Sequence, residues 1–224
     1  MNIRKYRKIL FGCVSIYVTE RAELYHHGRT KEITERAFAD VAAAGNSRYI
    51  SLRYFNVAGA DTDGRLGQAC ARSTHLIARA LKCAKSESEK LHIYGSDYPT
   101  PDGICIRDYI HVDDIAYAHV SALDYLMQTG KSSAMNCGYG RGFSVREIVS
   151  MVKKVIEVDF SVEEAARRPG DPPVLIADSA QLKSLTGWML KYEDLEFIIN
   201  SAGKWEMKLN RRRVSNISRV VSVR

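Results

Sequence analysis

The sequence predicts an α/β protein with a largely parallel sheet, and three observations lead to this prediction. The chain has 224 residues, of which 46% are hydrophobic and 26% charged, which is typical of a soluble globular protein. Short β-branched or aromatic runs alternate with longer helical patterns, as in βαβ units. The sequence contains no internal repeat and no low-complexity linker. Disordered, collagen-like and coiled-coil architectures are therefore excluded.

The first predicted elements are a helix and a strand. Residues 31–44 are rich in helix formers and are followed by Gly45, a common helix stop. Residues 49–55 form a β-branched and aromatic run that predicts a strand. A polar, glycine-containing loop is expected over 59–67, and a second helix over 74–84.

Shorter predicted elements follow. Residues 91–94 form a strand, 96–103 a proline-containing loop, and 104–112 another strand. The next segment predicts a helix because four apolar residues recur at spacings that share one helical face: Ile115, Ala118, Ala122 and Leu126. A short strand over 134–137 completes this part of the pattern.

A glycine-rich turn precedes the next predicted helix, whose apolar positions extend to Ile156. Its glycines are Gly138, Gly140 and Gly142. They resemble a dinucleotide-binding turn, but the third glycine of G-x-G-x-x-G would fall on Phe143. Ser144 and Glu147 have the spacing of a capping box. We therefore favour a structural turn over a cofactor site.

The basic charge is concentrated at the two ends of the chain. The net charge is +7, whereas the body without residues 1–10 and 204–224 carries −3. A basic tail can bind nucleic acid, but these ends lack interleaved aromatic residues and any nucleic-acid-binding motif. The sequence therefore favours a solvated terminus and predicts no nucleic-acid partner.

Five cysteines are widely spaced and include no C-x-x-C pair. This spacing predicts reduced thiols, no metal site and a cytoplasmic location. No apolar run reaches the roughly 20 residues that cross a bilayer, so no membrane partner is expected. Residues 9–18 are interrupted by polar and small residues and lack a cleavage site, which argues against a signal peptide.

Four ordered segments carry more specific information. They are LRYFNVAGA (52–60), IYGSDYPTPDG (93–103), RDYIHVDD (107–114) and RRPGD (167–171). Together they closely resemble the UDP-glucose 4-epimerases, a family of extended short-chain dehydrogenases/reductases, over about residues 27–207. The D-Y-P-T-x-D-G stretch favours the epimerases over the related dehydratases and decarboxylases.

The resemblance implies a fold, a reaction and partners. The fold would be a partial doubly wound, Rossmann-like parallel sheet with a smaller C-terminal nucleotide-sugar-binding lobe. Residues 1–60 would be a remnant of the NAD-binding domain, 61–210 the UDP-sugar-binding region, and 211–224 a basic tail. The reaction would interconvert UDP-glucose and UDP-galactose through a 4-keto sugar, with NAD as the hydride carrier. A UDP-sugar would be the substrate, and a homodimer is compatible with the family.

The resemblance also implies a set of substrate-binding residues: Asn56, His75, Leu76, Tyr94, Arg107, Arg168 and Asp171. The two arginines would present guanidinium forks to phosphate oxygens, and Asp171 would accept ribose hydroxyls. Other roles remain open, because Asn56 could stabilise a turn, either arginine could pair within the fold, and Tyr94 could belong to the core. His111 and Asp114 are expected to be structural, since Asp114 falls in the first turn of a helix.

The catalytic segment departs from the family pattern. A Tyr-x-x-x-Lys element would place a phenol and an ammonium on one helical face, but here His27 stands four residues before Lys31. We take His27, Lys31 and Ser15 as the candidate catalytic residues. Lys31, Tyr54 and Phe55 are the candidate NAD contacts.

No glycine-rich pyrophosphate turn with an acidic ribose ligand precedes this segment. The expectation is therefore an N-terminally truncated copy of an epimerase with impaired activity. Two alternatives stay open. One is an inactive remnant that binds a nucleotide sugar or a full-length partner, and the other is a family enzyme that acts on a different sugar nucleotide.

Overall fold

The structure is a computed structural model that describes residues 9–13, 26–70, 73–86 and 89–221. The helices in these ranges are α1 (His26–Ala44), α2 (Leu76–Cys83), α3 (Val112–Thr129), α4 (Val145–Ile156), α5 (Ala180–Thr186) and α6 (Leu195–Val221). The strands are β1 (Ile9–Cys13), β2 (Arg48–Arg53), β3 (Asn56–Ala58), β4 (Leu91–Tyr94), β5 (Ile106–His111), β6 (Ser133–Asn136), β7 (Gly142–Ser144), β8 (Val162–Ala165) and β9 (Val174–Leu175).

The strands form three small sheets. The first has the order β1-β2-β6 and is parallel throughout. The second has the order β3-β5-β7, with β9 also paired to β5, and β5–β7 is its antiparallel pairing. The third is the parallel pair β4-β8. The α/β class and the largely parallel pairing predicted from the sequence are confirmed.

The predicted strand over 49–55 is shorter in the structure, and a separate strand in another sheet follows it. The run predicted over 49–55 ends in the structure at Arg53, and the chain resumes as β3 beside β5, with Asn56 opposite Tyr109. Tyr54 and Phe55 thus lie between the first and second sheets. This crossing point brings the carboxyl end of β2 next to the amino end of β3.

Other boundaries also shift. α1 begins at His26, five residues before the predicted start. The backbone of residues 211–221, predicted as part of a basic tail, continues α6 as a helix. β7, β8 and β9 have only two to four residues each, too few for a sequence pattern to reveal them.

Two hydrophobic clusters form the core. One joins α2, α4 and the start of α6 to β4 and β5. The other packs β2 and β6 against α3 and α5, and includes all four residues of the predicted α3 face. Ile50 and Leu52 therefore share a core with residues far beyond position 60. Tyr139 packs against both clusters.

The start of α3 is fixed by buried polar groups. His111 caps the helix, because its Nδ1 accepts a hydrogen bond from the Asp113 backbone N–H. That contact leaves the proton on Nε2, which lies 3.2 Å from Oγ of Ser201. Asp114 is fully buried and accepts hydrogen bonds from the Tyr139 hydroxyl and from the backbone N–H groups of Lys191 and Tyr192. The structural roles expected for both residues are confirmed.

The buried His111 predicts a loss of stability at acidic pH. Burial lowers the pKa of His111 below its usual value, so the unfolded chain takes up the proton first. Its stabilising contribution is complete above the unfolded pKa of about 6.5 and is lost as the pH falls through the folded pKa. We expect the free energy of unfolding, measured by urea denaturation, to decrease as the pH is lowered from 7.5 to 5.5. One histidine can lower it by at most about 1.4 kcal/mol per pH unit.

The slope of stability against pH is the readout of this prediction. His111→Gln should flatten it, whereas His92→Gln, a substitution at a surface histidine, should leave it unchanged. An unaltered slope in His111→Gln would assign the acid sensitivity to other groups.

No helix in the part of the chain that the structure describes is long and apolar enough to cross a membrane. Within the same residues, no group of three or more His, Cys, Asp or Glu side chains is arranged to hold a metal ion. Cys83 and Cys105 are buried thiols, and Cys70 is exposed.

Candidate functional site

A cleft of about 390 Å³ opens beside the second sheet, between the β3 segment and helices α2 and α6. Three of the predicted substrate residues line it: Asn56, His75 and Leu76. Tyr109 of β5 and Trp205 of α6 contribute aromatic walls. Asn56 begins β3, and its Nδ2 donates a hydrogen bond to the Asp108 carbonyl at 3.1 Å, which fixes the amide at the edge of the cleft.

Arg107 and Asp171 form a partly buried ion pair. Nη2 of Arg107 lies 2.7 Å from Oδ1 of Asp171, and the side chains are 7% and 26% exposed. Nη1 of Arg107 also donates to its neighbour's carbonyl, that of Ile106. β5 carries the arginine, and the turn after β8 carries the carboxylate. Such a guanidinium can bind phosphate oxygens, and such a carboxylate can accept hydroxyl groups.

Arg168 and Tyr94 form a second pair of predicted residues. The pairing of β4 with β8 aligns Tyr94 with Ala165, three residues before Arg168. The guanidinium carbon of Arg168 then lies 3.9 Å from the centroid of the Tyr94 ring, a cation–π contact. Arg168 is exposed, so this cation can reorient toward a ligand.

Cys105, two residues before Arg107, is within electrostatic range of both pairs. Arg107, Arg168 and Asp171 all act electrostatically on the Cys105 thiol, although burial is the main cause that raises its pKa. The two arginines and the aspartate thus lie in the neighbourhood of Cys105, and Tyr94 lies there through its contact with Arg168. Asn56, His75 and Leu76 lie in the neighbouring cleft, on the β3 side of β5.

The predicted catalytic residue Lys31 lies beside a different sheet, the first one. α1 runs antiparallel to β2, because Phe38 packs near Tyr49 and Glu35 binds Arg53. Lys31, one turn before Glu35, therefore lies beyond the carboxyl end of β2, at the level of Tyr54 and Phe55, and is half-buried.

The other two catalytic candidates are only partly covered by the structure. His27 lies in the first turn of α1, four residues before Lys31, so their backbone positions share a helical face. Its side chain is outside the described atoms. Ser15 lies outside the described residues.

The glycine-rich turn after β6 is a packing device. The buried Asp108 carboxylate accepts hydrogen bonds from the N–H groups of Tyr139, Gly140 and Ala177. A Cβ at Gly138 would lie 2.6 Å from that of Ala177, so only glycine fits. Burial raises the pKa of Asp108, against the effect of these hydrogen bonds. The predicted structural turn is confirmed, as is the capping box that starts α4.

Sequence reasoning did not single out Asp108 or Tyr98. Asp108 follows Arg107 in the RDYIHVDD segment. Because aspartate is usually exposed, the sequence does not predict that this side chain is buried within β5. Tyr98 belongs to the D-Y-P-T segment, which indicates the family but gives no role to this side chain. Both are buried against the site just described.

Comparison with known proteins agrees with this geometry. The NAD dependent epimerase/dehydratase family matches residues 19–138. A UDP-glucose 4-epimerase of Azospirillum brasilense is 49% identical over 183 residues, which cover 82% of this chain and 53% of the relative. One from Rhizobium leguminosarum bv. trifolii is 44% identical over 184 residues, covering 82% and 56%. The chain thus spans about half the length of the curated relatives that it matches.

Solved structures give the same result. The UDP-glucose 4-epimerase from Brucella ovis in complex with NAD has a TM-score of 0.80 at 42% identity, covering 90% of this chain and 66% of that one. The enzyme from Bifidobacterium longum in complex with NAD⁺ and UDP has a TM-score of 0.81 at 29% identity, covering 92% and 66%. The resemblance inferred from the four segments is confirmed: the chain belongs to the NAD dependent epimerase/dehydratase family, and its relatives there are UDP-glucose 4-epimerases.

Proposed function

We propose that this chain carries the nucleotide-sugar-binding part of a UDP-glucose 4-epimerase, the isomerase that interconverts UDP-glucose and UDP-galactose. The observation that carries the proposal is the nearly buried guanidinium of Arg107, which pairs with Asp171. Arg107 lies on β5, two residues before Tyr109, which lines the neighbouring cleft. A buried cation paired with a single carboxylate is a strong site for a diphosphate. The names of the relatives support the same substrate class.

Each predicted residue has a chemical role in this proposal. Arg107 and Arg168 bind the diphosphate, and Asp171 accepts the ribose hydroxyls. Tyr94 releases the Arg168 guanidinium that now covers its ring and presents that ring to the uracil base. Three cleft residues orient the remainder of the ligand: Asn56, His75 and Leu76.

NAD is the implied cofactor, and when bound it would supply reversible hydride transfer at C4 of the sugar. Lys31, Tyr54 and Phe55 would contact its nicotinamide end, because they lie together beyond the carboxyl end of β2, where ligands of parallel sheets bind. The ammonium of Lys31 would stabilise negative charge on a neighbouring base. These three residues would hold the nicotinamide end of the cofactor and make no contact with its pyrophosphate.

The position of the catalytic base favours a second function. A histidine can act as a base near neutral pH, but at residue 27 its length and geometry differ from those of a tyrosine, so proton removal from the C4 hydroxyl would be impaired. Ser15 remains a candidate catalytic residue in the first function. The histidine at residue 27 favours an alternative role. In that role the chain binds a nucleotide sugar, or a full-length partner, without turning the sugar over.

We keep three further features as part of the proposal. The division into an NAD-binding part up to residue 60, a UDP-sugar region over 61–210 and a basic end follows from the family resemblance. A cytoplasmic location fits the buried thiols Cys83 and Cys105. A homodimer also follows from the family resemblance alone.

Ligand titrations with the purified 224-residue chain test the proposed function. We expect calorimetry to show saturable UDP binding, but weak NAD binding and no stoichiometric NAD in the purified protein. A turnover assay with UDP-glucose against other UDP-sugars then identifies the sugar. UDP binding without turnover would support the binding-only alternative. Tightly copurifying NAD would contradict the cofactor prediction, and absence of UDP binding would overturn the proposal.

A further inference from the structure

Tyr98 carries an unexplained buried hydroxyl. The side chain is only 5% exposed. Among the residues that the structure describes, its Oη is the one buried side-chain nitrogen or oxygen without a hydrogen-bond partner. Buried hydroxyls in native folds nearly always have such a partner, so a group left without one indicates a bound molecule or a function.

The Tyr98 ring is held in place on several sides. A Cβ at Gly95 would lie 2.6 Å from Cε2 of the ring, so the backbone approaches the ring as closely as glycine allows. The guanidinium of Arg167 covers the ring at 4.2 Å from its centroid. The Tyr98 backbone N–H donates to the Gly103 carbonyl at 2.9 Å, which closes the loop. The direction of the phenol is therefore set by the fold.

The charges around the phenol are those of the proposed nucleotide site. Burial is the main cause that raises the pKa of Tyr98, and Asp171 and Cys105 add to it, against Arg107 and Arg167. The hydroxyl thus keeps its proton at neutral pH and is a hydrogen-bond donor. Its neighbour Cys105 is a protonated, buried thiol and a weak acceptor.

We propose that Tyr98 Oη donates a hydrogen bond to an oxygen of the ribose–phosphate part of a bound nucleoside diphosphate, and so is a further substrate-binding residue. This inference rests on the proposed function. Asp171 is the more exposed member of the Arg107–Asp171 pair, at 26%. A ligand that binds both members separates them and brings an acceptor oxygen to the phenol. In the ligand-free fold the Tyr98 hydroxyl therefore has no acceptor, and the bound ligand provides one.

Tyr98→Phe tests the proposal because it removes the hydroxyl and keeps the ring that packs against Gly95 and Arg167. We expect the Kd for UDP, measured by calorimetry, to rise about five- to tenfold, the effect of one lost hydrogen bond. The urea midpoint without ligand should stay equal or rise, since an unpartnered buried hydroxyl is removed. Tyr117→Phe is the matched control, because that tyrosine is exposed on α3 and contacts Lys191. It should leave the Kd unchanged.

The other outcomes overturn the inference in distinguishable ways. If the parent chain binds UDP and Tyr98→Phe binds it equally well, the hydroxyl is not a ligand group while the proposed function stands. If Tyr98→Phe is less stable, or fails to fold, the hydroxyl serves the fold, for example through a buried water. If the parent chain itself binds no UDP, the proposed function fails together with this inference.

Discussion

Asp114→Asn is expected to destabilise the protein by roughly 2–3 kcal/mol, because the hydrogen bonds to the buried carboxylate lose their charge assistance, and such bonds contribute about 1.5–3 kcal/mol each against about 0.5–1.5 kcal/mol for neutral ones. The fully buried carboxylate accepts from the Tyr139 hydroxyl at 2.7 Å, from the Tyr192 N–H at 2.9 Å and from the Lys191 N–H at 3.2 Å. An asparagine oxygen in the place of Oδ2 keeps these acceptor contacts, but the NH₂ group then takes the place of Oδ1 and faces the Lys191 N–H. Buried donors without an acceptor keep their full desolvation cost.

Urea denaturation followed by tryptophan fluorescence measures this loss, since the Trp188 indole N–H donates to the Asp114 carbonyl at 3.0 Å. Asp113→Asn is the matched control. That neighbouring carboxylate accepts from the Thr62 backbone N–H at the surface, so its loss should be about 1 kcal/mol or less. Equal effects of the two substitutions would show that the buried network does not stabilise the fold as argued.

Arg168→Ala is expected to weaken UDP binding by more than about 1.5 kcal/mol, roughly tenfold or more in Kd, because a charge-assisted contact with phosphate is removed. The fold should tolerate this change, since Arg168 is exposed and covers only the Tyr94 ring. Arg168→Lys should give an intermediate loss, because an ammonium keeps the charge but not the planar fork. Calorimetric titration with UDP measures all three chains.

Arg146→Ala is the control for net charge. Arg146 pairs with Glu164 at the surface, at 2.8 Å and with both side chains about half exposed. Its removal changes the overall charge equally, so the UDP affinity should stay within twofold of the parent chain. An Arg168→Ala chain with unaltered affinity would remove this residue from the binding site.

Local patterns predicted much of the framework. The α3 face could be identified because its four apolar residues repeat with helical spacing and all lie in the core. The start of α4 could be identified because Ser144 and Glu147 satisfy each other's backbone N–H groups. In both cases the structure depends on residues within a few turns of one another.

The rest depends on long-range contacts. Arg107 and Asp171 are 64 positions apart, and their pairing follows from β9 adding to β5 as a two-residue strand. A strand this short has no periodicity to recognise. The break at Tyr54 and Phe55 is similar, because the sequence continues as a strand while the chain changes sheets. Such features result from packing between segments that are distant in the chain, and these contacts cannot be predicted from a single sequence.

Tyr139 couples the packing of the two hydrophobic clusters. Its ring belongs to both hydrophobic clusters, and its hydroxyl accepts from the His111 N–H while donating to Asp114. Neither cluster can lose its native packing without disturbing this phenol. We therefore expect a loss of packing in one cluster to spread to the other, so that thermal unfolding of the described residues follows a single cooperative transition.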